Sequence, residues 1–287
     1  MKAGNVIIIG RPNSGKSTLI NSLVNQKVSI TSPKPQTTRK IIKAAYWDER
    51  GQIIFWDTPG LLKKTFDLVS KKINLLPTHS LKQANVVVYL VDKTRERGEE
   101  ENLILGIARK VNQPKILVFN KIDILHPDYR YQYEFLKEEF DDFVEISALK
   151  KIHLKTLLEK IFNFLPETDR SLFDPEMFQV KKSLNLTAEE FVEELIREKI
   201  FLTLRQELPY STMVEVQNME EKEDIFVIIA KILTNSEKYK KMIIGKKGKT
   251  IKSIGTKARK ELELFINKKV FLDLKVITDP YWQERFV

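Results

Sequence analysis

Along the first half of the chain, short unbroken apolar runs alternate with stretches whose apolar residues recur every three or four positions. Val6-Ile7-Ile8-Ile9, Val86–Val91, Ile116–Phe119 and Phe143–Ile146 are the runs. Each reads as a strand buried on both faces of a parallel sheet. Ser17–Leu23, Asp67–Lys82, Glu99–Val111 and Ile152–Phe164 carry helical spacing. Ile41–Trp47 and Gln52–Trp56 flank Asp48-Glu49-Arg50-Gly51 and predict a hairpin. From Gln26 to Lys40 the chain is rich in Ser, Thr and Pro and lacks apolar periodicity. A loop of that length inside a compact domain is usually functional. The pattern predicts an α/β domain with a mostly parallel sheet.

Periodicity breaks at Pro166-Glu167-Thr168-Asp169-Arg170 and again at Phe173-Asp174-Pro175. We therefore expect a first domain at 1–166, a linker at 167–186 and a smaller α+β domain at 187–287. Thr187-Ala188-Glu189-Glu190 is a capping box that opens a helix to about Gln206, before Pro209. Strands follow at Thr212–Gln217 and Ile225–Leu233, around a charged turn at Glu220–Asp224. A short helix (Ser236–Ile243), the turn Gly245-Lys246-Lys247-Gly248, a longer helix to Asn267 and a strand at Val270–Ile277 complete an α-β-β-α-α-β order.

Composition narrows the setting. The chain has 287 residues, 42% hydrophobic and 31% charged, enough for two packed cores. With no cysteine, disulfides and thiolate metal sites are excluded, and a reducing cytoplasm is the expected compartment. With an apolar strand within six residues of Met1, no leader is expected, and no apolar stretch approaches a membrane span. The three histidines, His79, His126 and His153, have no metal-ligand spacing. The net charge of +10 is local: residues 236–260 hold ten Lys or Arg against Glu237 alone, leaving the rest near neutrality. That distribution points to a polyanion site around the Gly245–Gly248 turn.

The chemistry begins at Gly10-Arg11-Pro12-Asn13-Ser14-Gly15-Lys16-Ser17-Thr18, a G-x-x-x-x-G-K-[ST] pattern between a strand and a helix. Glycines let successive N–H groups turn toward a phosphate, and the helix N-terminus adds positive potential. Lys16 is placed to reach the β- and γ-phosphates and the Ser17 hydroxyl to hold Mg²⁺. Asp57-Thr58-Pro59-Gly60 follows at a strand end, where Asp57 would serve the metal and the Gly60 N–H the γ-phosphate. Asn120-Lys121-Ile122-Asp123 stands at a third strand end. The Asp123 carboxylate can accept both guanine N1–H and its amino group, a donor pair that adenine lacks. The Lys121 stem can cover the purine face, and Asn120 can tie this loop to the first. Ser147-Ala148-Leu149 comes after the last strand, with the Ala148 N–H facing guanine O6.

Motifs in this order and spacing resemble a translational-type GTPase domain over residues 1–165, with a Ras-like P-loop fold. The resemblance implies binding of GTP and GDP with Mg²⁺. It assigns the second Mg²⁺ ligand to the loop Gln36-Thr37-Thr38-Arg39, with Thr38 chosen and Thr37 the alternative. Ras-like enzymes carry a water-orienting Gln directly after D-x-x-G; here the residue is Leu61. GTPases with an apolar residue there form a group in which Asn13 resembles a K⁺ ligand that supplies positive charge to the transition state. Lys16, Thr38, Gly60 and Asn13 are the expected catalytic set.

The second half, with G-x-x-G between its two later helices, resembles a type II KH domain. Ile244, Gly245, Lys246, Lys247, Gly248, Lys249, Ile251 and Lys252 are then the expected RNA contacts, beside an apolar groove of Ile243, Ile244, Ile251 and Ile254. A GTPase domain followed by a type II KH domain in so short a chain resembles the Era family. That resemblance implies a GTP-driven switch that binds 16S ribosomal RNA near its 3′ end in assembly of the small ribosomal subunit. It also implies a monomer in the cytoplasm, with peripheral association at the inner face of the plasma membrane. Leu61 favours the competing expectation, a non-catalytic RNA-binding assembly factor with a structural nucleotide site.

Overall fold

The structure, a computed structural model, describes residues 1–35, 37–60, 73, 80–174 and 185–284. Leu61, His79 and most of the helix expected at Asp67–Lys82 lie outside the described residues. The chain divides into two compact units, Met1–Asn185 and Leu186–Val287.

In the first unit the order is β1 (Lys2–Ile9), α1 (Lys16–Val24), β2 (Ile42–Asp48), β3 (Gly51–Asp57), β4 (Val86–Asp92), α2 (Glu99–Ala108), β5 (Lys115–Asn120), α3 (Leu136–Glu139), β6 (Asp142–Glu145) and α4 (Leu154–Phe164). The six strands form one sheet in the order β2-β3-β1-β4-β5-β6. Only β2 runs antiparallel, against β3. The expected strands are all present. β1 begins four residues earlier than its apolar run, because Lys2 to Asn5 pair with Gly51 to Ile54 of β3.

Alternation along β1 sorts the core into two layers. Val6 and Ile8 pack with Leu19, Leu23, Leu157 and Ile161 of α1 and α4. Ile7 and Ile9 face the other way, onto Ile104 of α2, Tyr89 and Phe119. All four are almost fully buried. Each contributes about 1.5–3 kcal/mol by leaving water. Both faces are covered, so the strands read as continuous apolar runs and not as alternating ones. The same pairing aligns the strand ends: Ile8 lies opposite Asp57, and Asp92 opposite Asn120. Gly10, Asp57, Asp92 and Asn120 therefore emerge together at the C-terminal edge of the sheet, where β1 is flanked by β3 and β4.

Residues 167–174, in the stretch expected to link the domains, pack on the first unit. The Gln52 amide donates to the Phe173 carbonyl at 2.9 Å and accepts from the Leu172 N–H at 2.7 Å.

The second unit contains α5 (Ala188–Thr203), β7 (Thr212–Glu221), β8 (Ile225–Thr234), α6 (Glu237–Ile244), α7 (Lys249–Ile266) and β9 (Lys269–Thr278). The capping box closes as the sequence predicts: the Glu190 N–H donates to Thr187 Oγ1 at 3.2 Å, and the Thr187 N–H to Glu190 Oε2 at 3.0 Å. β7 pairs antiparallel with β8, and β8 parallel with β9. The charged turn is shorter than expected. Glu220 and Glu221 stay in β7, opposite Val227 and Phe226, because a bulge between Val216 and Asn218 carries the ladder on. Val192, Ile196, Ile228, Ala230, Ile254 and Leu262 are at the centre of the core between helices and sheet.

Candidate nucleotide and nucleic-acid sites

The loop after β1 turns into α1 through Gly15, whose φ of 104° lies in the left-handed region. A Cβ at Gly15 would meet Asn120 Nδ2 at 2.3 Å, so glycine is required there twice over. Lys16 is almost fully buried and folds back over the loop, donating to the Gly10 carbonyl at 2.9 Å and the Arg11 carbonyl at 3.0 Å. Burial lowers its pKa to about 8, against the opposing pull of Asp57 and Glu101.

Three oxygen side chains from three segments meet beside it. Ser17 Oγ donates to Asp57 Oδ2 at 2.6 Å and lies 3.1 Å from Thr38 Oγ1. Thr37 turns elsewhere, to Ser32 Oγ at 2.5 Å and the Lys34 carbonyl at 2.8 Å. Between the two candidate threonines, only Thr38 faces Ser17 and Asp57. Asp57 is fully buried, which pushes its carboxyl pKa up against the Ser17 hydrogen bond and the Lys16 charge. Its Oδ1 is buried with no hydrogen-bond partner among the described residues. A cavity lined by Asn13, Lys16, Ser17, Thr18, Thr37, Thr38 and Gly60 reaches the two hydroxyl partners, Ser17 and Thr38, while Asp57 lies behind them and does not line it. Pro59, next to Gly60, is buried.

A second cavity continues past Asn13, Gly15 and Thr18 to Lys121 and Asp92. Asn120 braces it: Nδ2 donates to the Ser14 carbonyl at 2.8 Å, and Oδ1 accepts from the Ala148 N–H at 2.9 Å. That second bond engages the N–H expected to face guanine O6. Lys121 Nζ lies between the Asn13 carbonyl at 3.1 Å and Asp92 Oδ2 at 2.6 Å. Ser147 is buried, and its Oγ accepts from the Lys150 N–H at 3.0 Å. Asp123 is half-buried and lines neither of these two cavities.

Three residues expected to touch nucleotide point elsewhere. The Arg11 guanidinium is buried beneath the loop, 3.2 Å from Glu101 Oε2, and donates to the Glu96 carbonyl at 3.0 Å. A buried cation needs fixed partners, and Glu101 of α2 and the Glu96 carbonyl before it supply them; only the Arg11 carbonyl faces Lys16. The Thr58 hydroxyl spends its proton on the Ile8 carbonyl at 2.7 Å, locking β3 to β1. Leu149 is 71% exposed and points to solvent. Asp92 was visible in the sequence only as the end of an apolar run, like Asp57 but with no motif around it.

In the second unit, Gly245 has φ 74° and Gly248 φ 72°, and a Cβ at Gly245 would sit 2.1 Å from Thr250 Oγ1. Lys246, Lys247, Lys249 and Lys252 are exposed around this turn. α7 starts at Lys249 with no side-chain cap, and the Lys249 N–H donates to the Lys246 carbonyl. The groove differs from expectation. Ile243 and Ile254 are fully buried in the core, because each helical residue is rotated about 100° from the one before it and these two fall on the core-facing side. The open groove lies between α7 and β9 and is lined by Ile251, Lys252, Gly255, Arg259, Leu272 and Leu274.

Residues 5–121 match the family model described as 50S ribosome-binding GTPase, and residues 207–281 match the KH domain model. The chain is 39% identical to GTPase Era of Halothermothrix orenii, covering 99% of this chain and 95% of that one. It is also 39% identical to GTPase Era of Borreliella burgdorferi, covering 99% and 97%. A crystal structure of Era in complex with MgGDPNP and nucleotides 1506–1542 of 16S ribosomal RNA superposes with a TM-score of 0.90 at 35% identity, covering 99% of this chain and 96% of that one. An Aquifex aeolicus Era variant bound to GDP·AlF4⁻ gives the same TM-score, identity and coverage.

Proposed function

The chain belongs to the Era family of GTPases, and on that premise we propose that it binds and hydrolyses GTP and binds 16S ribosomal RNA near its 3′ end, as a switch in assembly of the small ribosomal subunit. The observation that carries the reading is that the likeness to Era relatives spans both units, the P-loop half and the KH half. Those relatives include one solved with a GTP analogue and that RNA together.

Ser17, Thr38 and Asp57 are the residues that would hold Mg²⁺. All three offer hard oxygen donors, and the partnerless Asp57 Oδ1 fits a metal-directed ligand. When bound, the metal neutralises charge on the β- and γ-phosphates. Lys16 and the amides of 10–18 bind the phosphates. Lys121, Asp123, Asn120 and the 147–149 loop bind guanine. Thr38 and Gly60, which line one cavity with Ser17, sense the γ-phosphate. Ordering of their loops by GTP, and release on hydrolysis, is the switching step.

Asn13 is the proposed ligand of a K⁺ ion, which would supply charge where Leu61 cannot orient water. Around the second unit, Lys246, Lys247, Lys249 and Lys252 meet phosphates and the α7–β9 groove takes unstacked bases. A monomer in the cytoplasm with peripheral membrane association completes the proposal, on family resemblance. Among the described residues no helix is long and apolar enough to cross a membrane.

The test is GTP turnover in K⁺ and Na⁺ buffers of matched ionic strength, with and without a single-stranded oligonucleotide of the 16S 3′ end. Faster turnover in K⁺ supports the Asn13 assignment, and equal rates refute it. An oligonucleotide that neither binds nor changes turnover refutes the RNA reading.

A further inference from the structure

We propose that Asp92, at the C-terminal end of β4, is a positioning residue for the nucleotide: its carboxylate fixes Lys121 over the P-loop, and nucleotide affinity depends on Asp92 through Lys121. The proposal rests on the reading of Lys121 as a purine contact.

Asp92 is fully buried, and its two carboxylate oxygens have separate tasks. Oδ1 accepts from the Thr94 N–H at 3.0 Å and the Thr94 hydroxyl at 2.6 Å, which holds the carboxylate in one orientation. Oδ2 accepts from Lys121 Nζ at 2.6 Å. The Asp92 carbonyl accepts from Arg11 Nη2 at 3.4 Å, so the same residue touches the P-loop from below.

Lys121 needs such a partner. Its side chain is 30% exposed and its backbone φ is 70°, so it leaves the strand end at an unusual angle. A free lysine side chain samples many rotamers, and ordering it costs up to about 2 kcal/mol. A dehydrated carboxylate at one end of its reach and the Asn13 carbonyl at 3.1 Å leave the ammonium a single place. The stem is thereby drawn along the wall of the cavity shared by Asn13, Gly15, Thr18 and Lys121. Parallel pairing of Asp92 with Asn120 sets the geometry, since Lys121 begins one residue beyond that pair. The carboxylate belongs to none of the nucleotide motifs, yet it decides where one motif side chain goes.

The experiment is a double-mutant cycle on the full chain, with Asp92→Asn, Lys121→Met and the double variant. It reads the affinity and release rate of fluorescent GDP, with circular dichroism as the fold control. Asp92→Asn keeps the shape and removes the charge. The expected result is a roughly ten- to hundredfold loss of affinity from Asp92→Asn alone, the scale of a hydrogen bond to a charged group. In the Lys121→Met background the same change has less than about twofold effect. Additive losses, or no loss from Asp92→Asn, overturn the proposal. Native affinity in Lys121→Met overturns the placement of Lys121 on the purine, and absence of GDP binding by the unaltered chain overturns the nucleotide reading itself. Should Asp92→Asn not fold, Thr94→Val frees the carboxylate's other oxygen. A loss that again appears only when Lys121 is present supports the proposal, and an unchanged affinity overturns it.

Discussion

The Asn120 side-chain amide donates to the Ser14 carbonyl across 2.8 Å, joining loops that lie 106 residues apart in sequence. Its other end holds the Ala148 N–H. One side chain thus fastens the P-loop, the N-K-x-D loop and the loop after β6 into a single frame. Replacing Asn120 by Ala is expected to leave both partners buried and to cost about 2–4 kcal/mol of stability. Chemical denaturation measures it, and GDP affinity should fall in parallel.

Lys16 titrates where it can be watched. With its pKa near 8 in the free protein against 10.5 for the ordinary group, the unfolded chain binds the extra proton between those values. By this group alone, stability therefore rises as pH climbs from about 8 to 10.5, while the charge needed to meet phosphate is lost. GDP affinity is expected to fall about tenfold per pH unit above 8. In Lys16→Met, affinity should be low and flat across that range; calorimetric titration in Mg²⁺ buffer reads both.

The two adjacent threonines separate cleanly. Thr38→Ala removes the hydroxyl beside Ser17 and is expected to lower GTP turnover roughly ten- to hundredfold and weaken its Mg²⁺ dependence. Thr37→Ala removes a bond to Ser32 and Lys34 within the loop and should change turnover by less than about threefold. Steady-state phosphate release decides between them.

Arg11 and Glu101 form a buried pair in which burial also pushes the Glu101 pKa upward. Arg11→Met alone is expected to destabilise by about 3–5 kcal/mol, because Glu101 is left buried without its cation. Adding Glu101→Gln, which removes the charge and can still accept the Tyr89 hydroxyl, should recover part of that loss. Thermal melts of the single and double variants test it.

For the second unit, Lys246→Ala with Lys247→Ala is expected to weaken single-stranded RNA binding for every sequence alike. The slope of log affinity against log salt should shallow by roughly 1.4, about 0.7 per lost phosphate contact. Filter binding at several salt concentrations measures it.

Much of this was legible in the sequence, for a reason particular to phosphate chemistry. Glycines, a lysine, a hydroxyl and strand-end carboxylates must occur at fixed spacing, because backbone N–H groups and hard oxygens have to converge within a few ångströms. Gly15, Lys16, Ser17, Asp57 and Asn120 were placed that way. Direction was harder to read. Arg11 and Thr58 belong to the motifs, yet their side chains turn inward because α2 and β1 offer them partners that no local pattern announces. Ile243 and Ile254 looked like groove residues until helix phase put them in the core. The groove itself takes Leu272 and Leu274 from a strand some twenty residues beyond Ile251, a proximity set by the packing of α7 on β9 in the shared core.

The lysine-bearing turn lies on the crossover between two parallel neighbours, β8 and β9, and contributes no residue to the ladder. Inheritance can therefore redraw what this surface reads while the scaffold beneath stays untouched. Relatives ought to exchange Lys and Arg at positions 246 and 247, which need only a cation, and to vary least at 245, where a side chain has nowhere to go.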